Sequence, residues 1–259
     1  MNTIFKEHTR AERLEAFGRL LDIMDELREK CPWDRKQTLA TLRPQTIEEV
    51  YELNDALLHE DLHEIQKELG DVLLHIVFYS KIGVEKGAFD IADVCDFICD
   101  KLVYRHPHVF GEVQVADSAE VVKNWEKLKT KEKDGNKRVL SGVPETMPSV
   151  LKAFRMQGKA AAVGFDWESR EQVWDKVREE LEEFREEPSE AEMGDILFSV
   201  VNASRLYDIN PDTALEKTCE KFRRRFTYLE EHTIREGRDL SSLSLAEMDS
   251  LWNEAKSLE

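Results

Sequence analysis

The chain has 259 residues, 41% hydrophobic and 35% charged, with a formal net charge of -17. A surface this acidic excludes a broad footprint for a nucleic-acid polymer or an anionic membrane, because phosphates must be met by Lys and Arg. It leaves room for a small polyanion that arrives with a metal ion. Only 11 Gly and 7 Pro accompany this charge, a composition that points to an all-α chain rather than a β-sandwich. No apolar run approaches the roughly 20 residues of a membrane span, and the charged start "MNTIFKEHTRAERLEAF" is unlike a secretory signal. Cys31, Cys95, Cys99 and Cys219 form neither a CxxC pair nor a secretory framework, and read as small, buried, reduced thiols of a cytoplasmic protein.

In chain order, residues 10–30 place Leu14, Phe17, Leu20, Leu21 and Met24 at helical spacing, and Pro32 ends that helix. A second helix is expected after Pro44, capped by Thr46 and carrying "IEEVYELNDALL". A turn at His59 to His63 leads to a third helix, "EIQKELGDVLLHIVFYSKIGVEKG". A fourth, from Ile91 to Tyr104, stops at "RHPHVFG". The polar, turn-rich stretch that follows gives a linker at 131–148.

The order then repeats. A helix from Ser149 to Ala162 leads to "VGFDWES", then to "VWDKVREELEEFREE", a turn at Pro188 and Ser189, and "EAEMGDILFSVVNASRLY". A long basic helix and a closing "SLAEMDSLWNEAKS" follow, as "VVKNWEKLKTK" closes the first half. The period far exceeds that of solenoid repeats. Two tandem copies of one small helical domain are therefore expected, at 1–130 and 149–259.

Each copy carries acidic residues on two successive helices. Glu48, Glu49 and Glu52 precede Glu68 and Asp71; Glu179, Glu180 and Glu183 precede Glu192 and Asp195. Residues three or four apart share a helix face, so antiparallel neighbours would bring the pairs together. Four converging carboxylates repel one another unless a cation intervenes. Mg²⁺, with Mn²⁺ as a substitute, suits an oxygen-only set of this kind and commonly shares its ligands with phosphates. Asp71 and Asp195 each precede an apolar run expected to be buried, "VLLHIVF" or "ILFSVV", and a carboxylate at the edge of a core needs a partner. On the fourth helix Lys101 and Arg105, or Lys221, Arg224 and Arg225, have spacings that share a face suited to phosphate oxygens. Trp33, Trp125, Trp167 and Trp252 are candidates for stacking on a base.

Taken together, "CPWDRKQT", "EEVYEL", "ELGDVLLHIVFYS" and "RHPHVFG", then "VGFDW", "EELEEF", "EMGDILFSVVNASR", "EKFRRRF" and "LWNEAK", resemble the MazG family of nucleoside triphosphate pyrophosphohydrolases over nearly the whole chain. The resemblance implies an all-α fold whose bundle is completed by a second subunit of a homodimer. It implies Mg²⁺-dependent cleavage of NTPs between the α and β phosphates, with broad base tolerance. The implied metal ligands are Glu180, Glu183, Glu192 and Asp195, with Glu49, Glu52, Glu68 and Asp71 as their first-half counterparts; Glu180 or Glu49 would also orient the attacking water. The implied nucleotide contacts are Lys176, Glu179, Lys221, Arg224, Arg225 and Trp252, with Lys101 and Arg105 in the first half. The second copy is expected to be the active one. Its short turn "FREEPSEA" lacks the basic residue that some family members place there.

Two rival readings differ in kind. A dUTPase or dCTPase would keep the fold and narrow the substrate, and a non-catalytic helical module would sense a nucleotide or a protein through its acidic face. A di-iron bundle needs two Glu-x-x-His pairs, and only Glu60 to His63 supplies one.

Overall fold

The computed structural model describes residues 7–117, 120, 121, 124, 125, 128, 138–235 and 237–258. The chain is all-α, with no strand among the described residues. It divides into two compact units, Met1–Val113 and Gln114–Glu259. Residues 131–137 of the expected linker lie outside the described residues.

The first unit comprises α1 (Arg10–Lys30), α2 (Leu39–Leu58), α3 (Leu62–Glu85), α4 (Ile91–Arg105) and the short α5 (Pro107–Phe110). The second holds α6 (Ser149–Ala162), α7 (Arg170–Glu186), α8 (Glu190–Leu206), α9 (Pro211–Arg235) and α10 (Leu245–Ser257). In each unit one antiparallel hairpin dominates the packing, α2 on α3 and α7 on α8.

Both hairpins start from the same local chemistry. Thr38 caps α2 by accepting from the Thr41 amide, and Ser169 caps α7 by accepting from the Gln172 amide. Such caps satisfy amides that have no partner inside the helix. The cap at Thr38 corrects the expected start of α2 after Pro44: Pro44 lies inside the helix. Thr46, expected as the cap, instead donates to the Leu42 carbonyl one turn back and meets His75 Nδ1 and the Tyr79 hydroxyl, each at 2.6 Å. The turn into α3 is closed by Glu60 in the left-handed region, φ 54, and by Asp61 accepting from the His63 and Glu64 amides.

The cores differ. In the first unit Met24, Leu42, Val77, Phe78 and Ile82 form a buried cluster, with Phe17, Leu20, Leu21, Leu74 and Tyr79 packed on it. Leu14, the other apolar residue on that stripe of α1, is exposed. The second unit's cluster is Val173, Val177 and Ala203, with Leu206 against it.

The runs after Asp71 and Asp195 are only half buried, which corrects the expectation that they would be wholly enclosed. His75, Val77 and Phe78 are buried whereas Leu73 and Ile76 are exposed; Ile196, Ser199 and Val201 are buried whereas Leu197, Phe198 and Val200 are exposed. A helix in a thin bundle covers one stripe and leaves the rest of its apolar surface bare. The same reason corrects the cysteines. Cys95 and Cys99 lie exposed on α4, which buries no residue; Cys219 is exposed too, and Cys31 is half-buried.

Candidate active site

The hairpins bring most of the expected carboxylates together. In the second unit Glu180 from α7 meets Glu192 and Asp195 from α8, each offering a carboxylate oxygen within 4.8 Å of the others. In the first unit Glu49 and Glu52 from α2 meet Glu68 from α3 at the same limit. Each group thus gathers three of the four residues expected.

The fourth residue stands close by in both. Glu183 is exposed one turn beyond Glu180 on α7; lost hydration, and then the neighbouring Glu180, raise its carboxyl above the ordinary glutamate range. Asp71 is half-buried, and after burial itself it is the largest influence raising the Glu49 carboxyl, with Glu52, Glu68 and Glu48 adding to it. Mutual repulsion of this kind is what a bound cation relieves.

The donor sets fit a hard divalent ion, since each is made of carboxylate oxygens. Glu68 adds a direct sign of fit: it is 3% exposed, Lys67 Nζ reaches its Oε1 at 2.9 Å, and its Oε2 has no hydrogen-bond partner. A buried carboxylate oxygen without a partner is costly, and a metal ion would supply one.

Glu180 is 6% exposed and ion-paired with Lys176 at 2.7 Å; the same ammonium reaches Glu179 at 2.7 Å. Hydrogen bonds from Lys176 to these two carboxylates push its pKa well above the usual lysine range, so it stays charged at any physiological pH. Glu179 itself is exposed and faces this lysine.

Beside the second group opens a pocket of about 660 Å³, within the roughly 300–1,000 Å³ typical of small-molecule sites. Lys176, Glu180 and Asp195 form one part of its lining; Met156, Ala160, Phe165, Val173 and Phe198 make apolar walls, and Gln157, Ser199 and Asn202 are polar. Arg205 on α8 grips Asp166 through both guanidinium nitrogens, Nη1 to Oδ2 at 3.0 Å and Nη2 to Oδ1. This fastens the loop carrying Trp167 to the pocket's edge.

The expected phosphate cations lie on the fourth helix of each unit. Lys221, Arg224 and Arg225 lie on α9, which packs on α6, α8 and α10 and not on α7. There the Arg225 guanidinium sits 5.6 Å from the Trp252 ring centre, and Phe222 packs on the same ring at 5.1 Å. In the first unit Lys101 lies 5.7 Å from the Phe97 ring, and both it and Arg105 lie on α4, which packs on α3 and α5 and not on α2. The cation-bearing helices thus pack on one helix of each acidic hairpin, α9 on α8 and α4 on α3. Of the other tryptophans, Trp33 is exposed and Trp125 half-buried.

Reading the sequence alone missed Gln157, Asn202 and the Arg205–Asp166 pair. A signal was present. Aligning the repeats on Glu68 and Glu192 sets Ser199 against His75, Asn202 against Phe78 and Ala203 against Tyr79, small or polar residues where the first half has large ones.

Two all-α units, each with a carboxylate-lined hairpin beside a pocket, define a class of tandem acidic helical bundles. The comparison with known proteins is specific. The MazG nucleotide pyrophosphohydrolase domain matches residues 37–110 and 169–229, and the chain belongs to this family. It is 40% identical over 95% of its length to the nucleoside triphosphate pyrophosphohydrolase of Escherichia coli K12, 99% of which is covered. It is 42% identical over 93% of its length to the nucleoside triphosphate pyrophosphohydrolase/pyrophosphatase MazG of Thermotoga maritima, 95% of which is covered. YabN of Bacillus subtilis is 48% identical over 94% of this chain, which spans 52% of that protein.

Proposed function

We propose that this chain hydrolyses nucleoside triphosphates, ribo and deoxy, to the monophosphate and pyrophosphate, that Mg²⁺ or in its place Mn²⁺ is required, and that the second unit is the active one. The observation that carries this is the sharing of Glu180 and Asp195 between the acidic group and the lining of one pocket, with Lys176 in the same lining. The names of the relatives support the reaction class.

Glu180, Glu183, Glu192 and Asp195 would hold the metal. When bound, such an ion polarises phosphoryl oxygens, neutralises their charge and makes a coordinated water more acidic. The chain's own groups do the rest. Glu180 is buried and fixed by Lys176, so its carboxylate is positioned to orient a water and take its proton as the oxygen attacks the α-phosphorus. The bond from that phosphorus to the α,β-bridging oxygen breaks, and its electrons leave with pyrophosphate. Lys176 provides a permanent positive charge beside the reacting phosphates.

The bare apolar surface on α8 and α9, including Leu197 and Phe222, suits a second subunit. A homodimer would also offer a route for Lys221, Arg224, Arg225 and Trp252 of one chain to serve the acidic group of another. Broad base tolerance and a role in clearing nucleotide pools in the cytoplasm belong to the same proposal.

Product analysis tests it. Purified protein with Mg²⁺ and a mixture of NTPs and dNTPs is expected to yield monophosphate and pyrophosphate. Diphosphate with orthophosphate, or no turnover with either metal, would overturn it and favour a binding module; turnover confined to dUTP or dCTP would favour the narrow enzyme.

A further inference from the structure

The pocket's apolar walls contain one unusual group. Gln157, on α6, is 6% exposed, and its Nε2 donates to the Phe198 carbonyl at 2.8 Å. That bond fixes the amide's orientation and leaves Oε1 as the end that faces no donor: it is buried and has no hydrogen-bond partner. An unmatched buried acceptor is costly, and a ligand N–H would remove that cost. Two other polar side chains of the lining have partners within the chain. Ser199 donates to the Ile196 carbonyl at 2.9 Å, and Asn202 Oδ1 accepts from Arg205 Nε and Nη2 at 3.0 and 2.9 Å.

We infer that Gln157 is the base-reading residue of the second unit, an acceptor that requires an N–H on the base and accepts any base that has one. This inference rests on the triphosphate reading above and deepens it. On that reading the phosphates lie beside Lys176, Glu180 and Asp195, and the nucleoside is left the apolar walls of the same lining, which include Gln157. Adenine and cytosine present an amino group, guanine a ring N–H and an amino group, and uracil and thymine a ring N–H. One acceptor among apolar walls meets them all. Broad tolerance then has a physical origin: a shared donor is demanded and the rest of the base is left unread. Side-chain adjustments of the kind common on binding bring the ligand N–H to the buried oxygen.

The test uses three purine triphosphates with the full-length protein: ATP, with an amino group, ITP, with a ring N–H, and purine riboside triphosphate, which has neither on its pairing edge. The wild-type protein is expected to favour ATP and ITP over purine riboside triphosphate by roughly tenfold in kcat/KM, the scale of one hydrogen bond to a buried group. Gln157→Met, of similar length and without the acceptor, is expected to bring all three to one level, with the change in KM rather than kcat. Equal use of the three by the wild type, or discrimination retained in Gln157→Met, would overturn the inference while leaving the triphosphate reading intact. Equilibrium binding of AMP against purine riboside monophosphate gives the same comparison without turnover, so failure of hydrolysis would sink the reaction and still decide the role of Gln157. The wild-type comparison stands even where a Gln157 variant folds poorly.

Discussion

The two units carry nearly the same acidic sentence on the same hairpin, yet one has a filled core beneath a polar hollow and the other a pocket with apolar walls. On the first unit's α3, His75, Phe78 and Tyr79 occupy the positions that Ser199, Asn202 and Ala203 hold on α8. Phe78 is 3% exposed in the core, and His75 and Tyr79 are tied through Thr46. Burial pushes the His75 pKa down, with Asp71 opposing, which fits a neutral ring inside that network. Lys176 in the second unit aligns with Gln45 in the first. The carboxylates have been kept in both copies and each lines a hollow with a lysine beside it, but the first unit's, about 720 Å³ around Glu52, Glu68 and Lys67, is lined mainly by polar and charged groups, whereas the second unit's has apolar walls. A duplicated acidic motif therefore comes with two differently walled hollows.

The comparison breaks most sharply at the acidic residues. Glu192→Gln and Asp195→Asn are each expected to cut pyrophosphate release by roughly 10³, the upper end for removing a preorganised charge-stabilising group, whereas Asp71→Asn should change it little. Equal losses in Asp71→Asn would give the first unit a share of the chemistry. Thermal melts of all three should stay near wild type.

Stability should show the opposite bias. Phe78→Ala removes a core aromatic and is expected to cost about 3–5 kcal/mol of unfolding free energy, read as a lower urea midpoint, with the kcat of the surviving folded enzyme preserved. A loss of turnover beyond the folded fraction would mean that the first unit's core supports the site directly.

Making the second unit resemble the first is the next step down. Asn202→Phe places a core-sized ring in the pocket, and Lys176→Gln removes the permanent charge beside Glu180. Each should lower kcat/KM by about 10- to 100-fold, the worth of roughly 1.5–3 kcal/mol for a hydrogen bond to a charged group. Asn202→Phe should raise KM and leave the melting temperature unchanged or higher. An Asn202→Phe enzyme with normal KM would place the nucleotide outside this pocket.

How much of this was legible beforehand depended on the range of the interaction. Helix positions came from local rules: the expected 149–162 helix is α6 to the residue, and the fourth helix runs one residue further than expected, to Arg105. The start of α2 was misplaced because Thr38 makes an ordinary cap and the helix continues through Pro44. Three of four carboxylates in each set converge because i, i+3 spacing and a short turn determine which faces meet. The pocket was not legible, since it depends on what is missing at Ser199, Asn202 and Ala203 relative to the other copy. Nor was the bond from Gln157 to the Phe198 carbonyl, 41 residues away, which no periodicity encodes. The packing of Arg225 on Trp252 of α10 is likewise tertiary: spacing put Lys221 and Arg225 on one face of α9 without saying which helix that face would meet.

The smallest expected effect concerns the clamps. In the first unit Arg28, nearly buried, holds Glu85 at 2.6 Å from Nη2 and 2.8 Å from Nε, and also donates to the Asp34 and Gln37 carbonyls. It joins α1 and α3 around a core that is already full, whereas Arg205 and Asp166 frame an opening. Hydrogen bonds from Arg28 hold the Glu85 carboxyl below the usual glutamate range. As pH falls, the unfolded chain takes up this proton first, so the contribution is complete above the ordinary glutamate pKa and lost as pH drops through it to the lower folded value. Glu85 is more than a third exposed, and solvent screening keeps the contribution small. The difference in urea midpoint between wild type and Glu85→Gln should accordingly be largest near pH 7 and shrink toward zero near pH 3. A difference that persists at acid pH would mean that Glu85 acts through packing and not through its charge, and the contrast between a structural clamp and a pocket frame would need another basis.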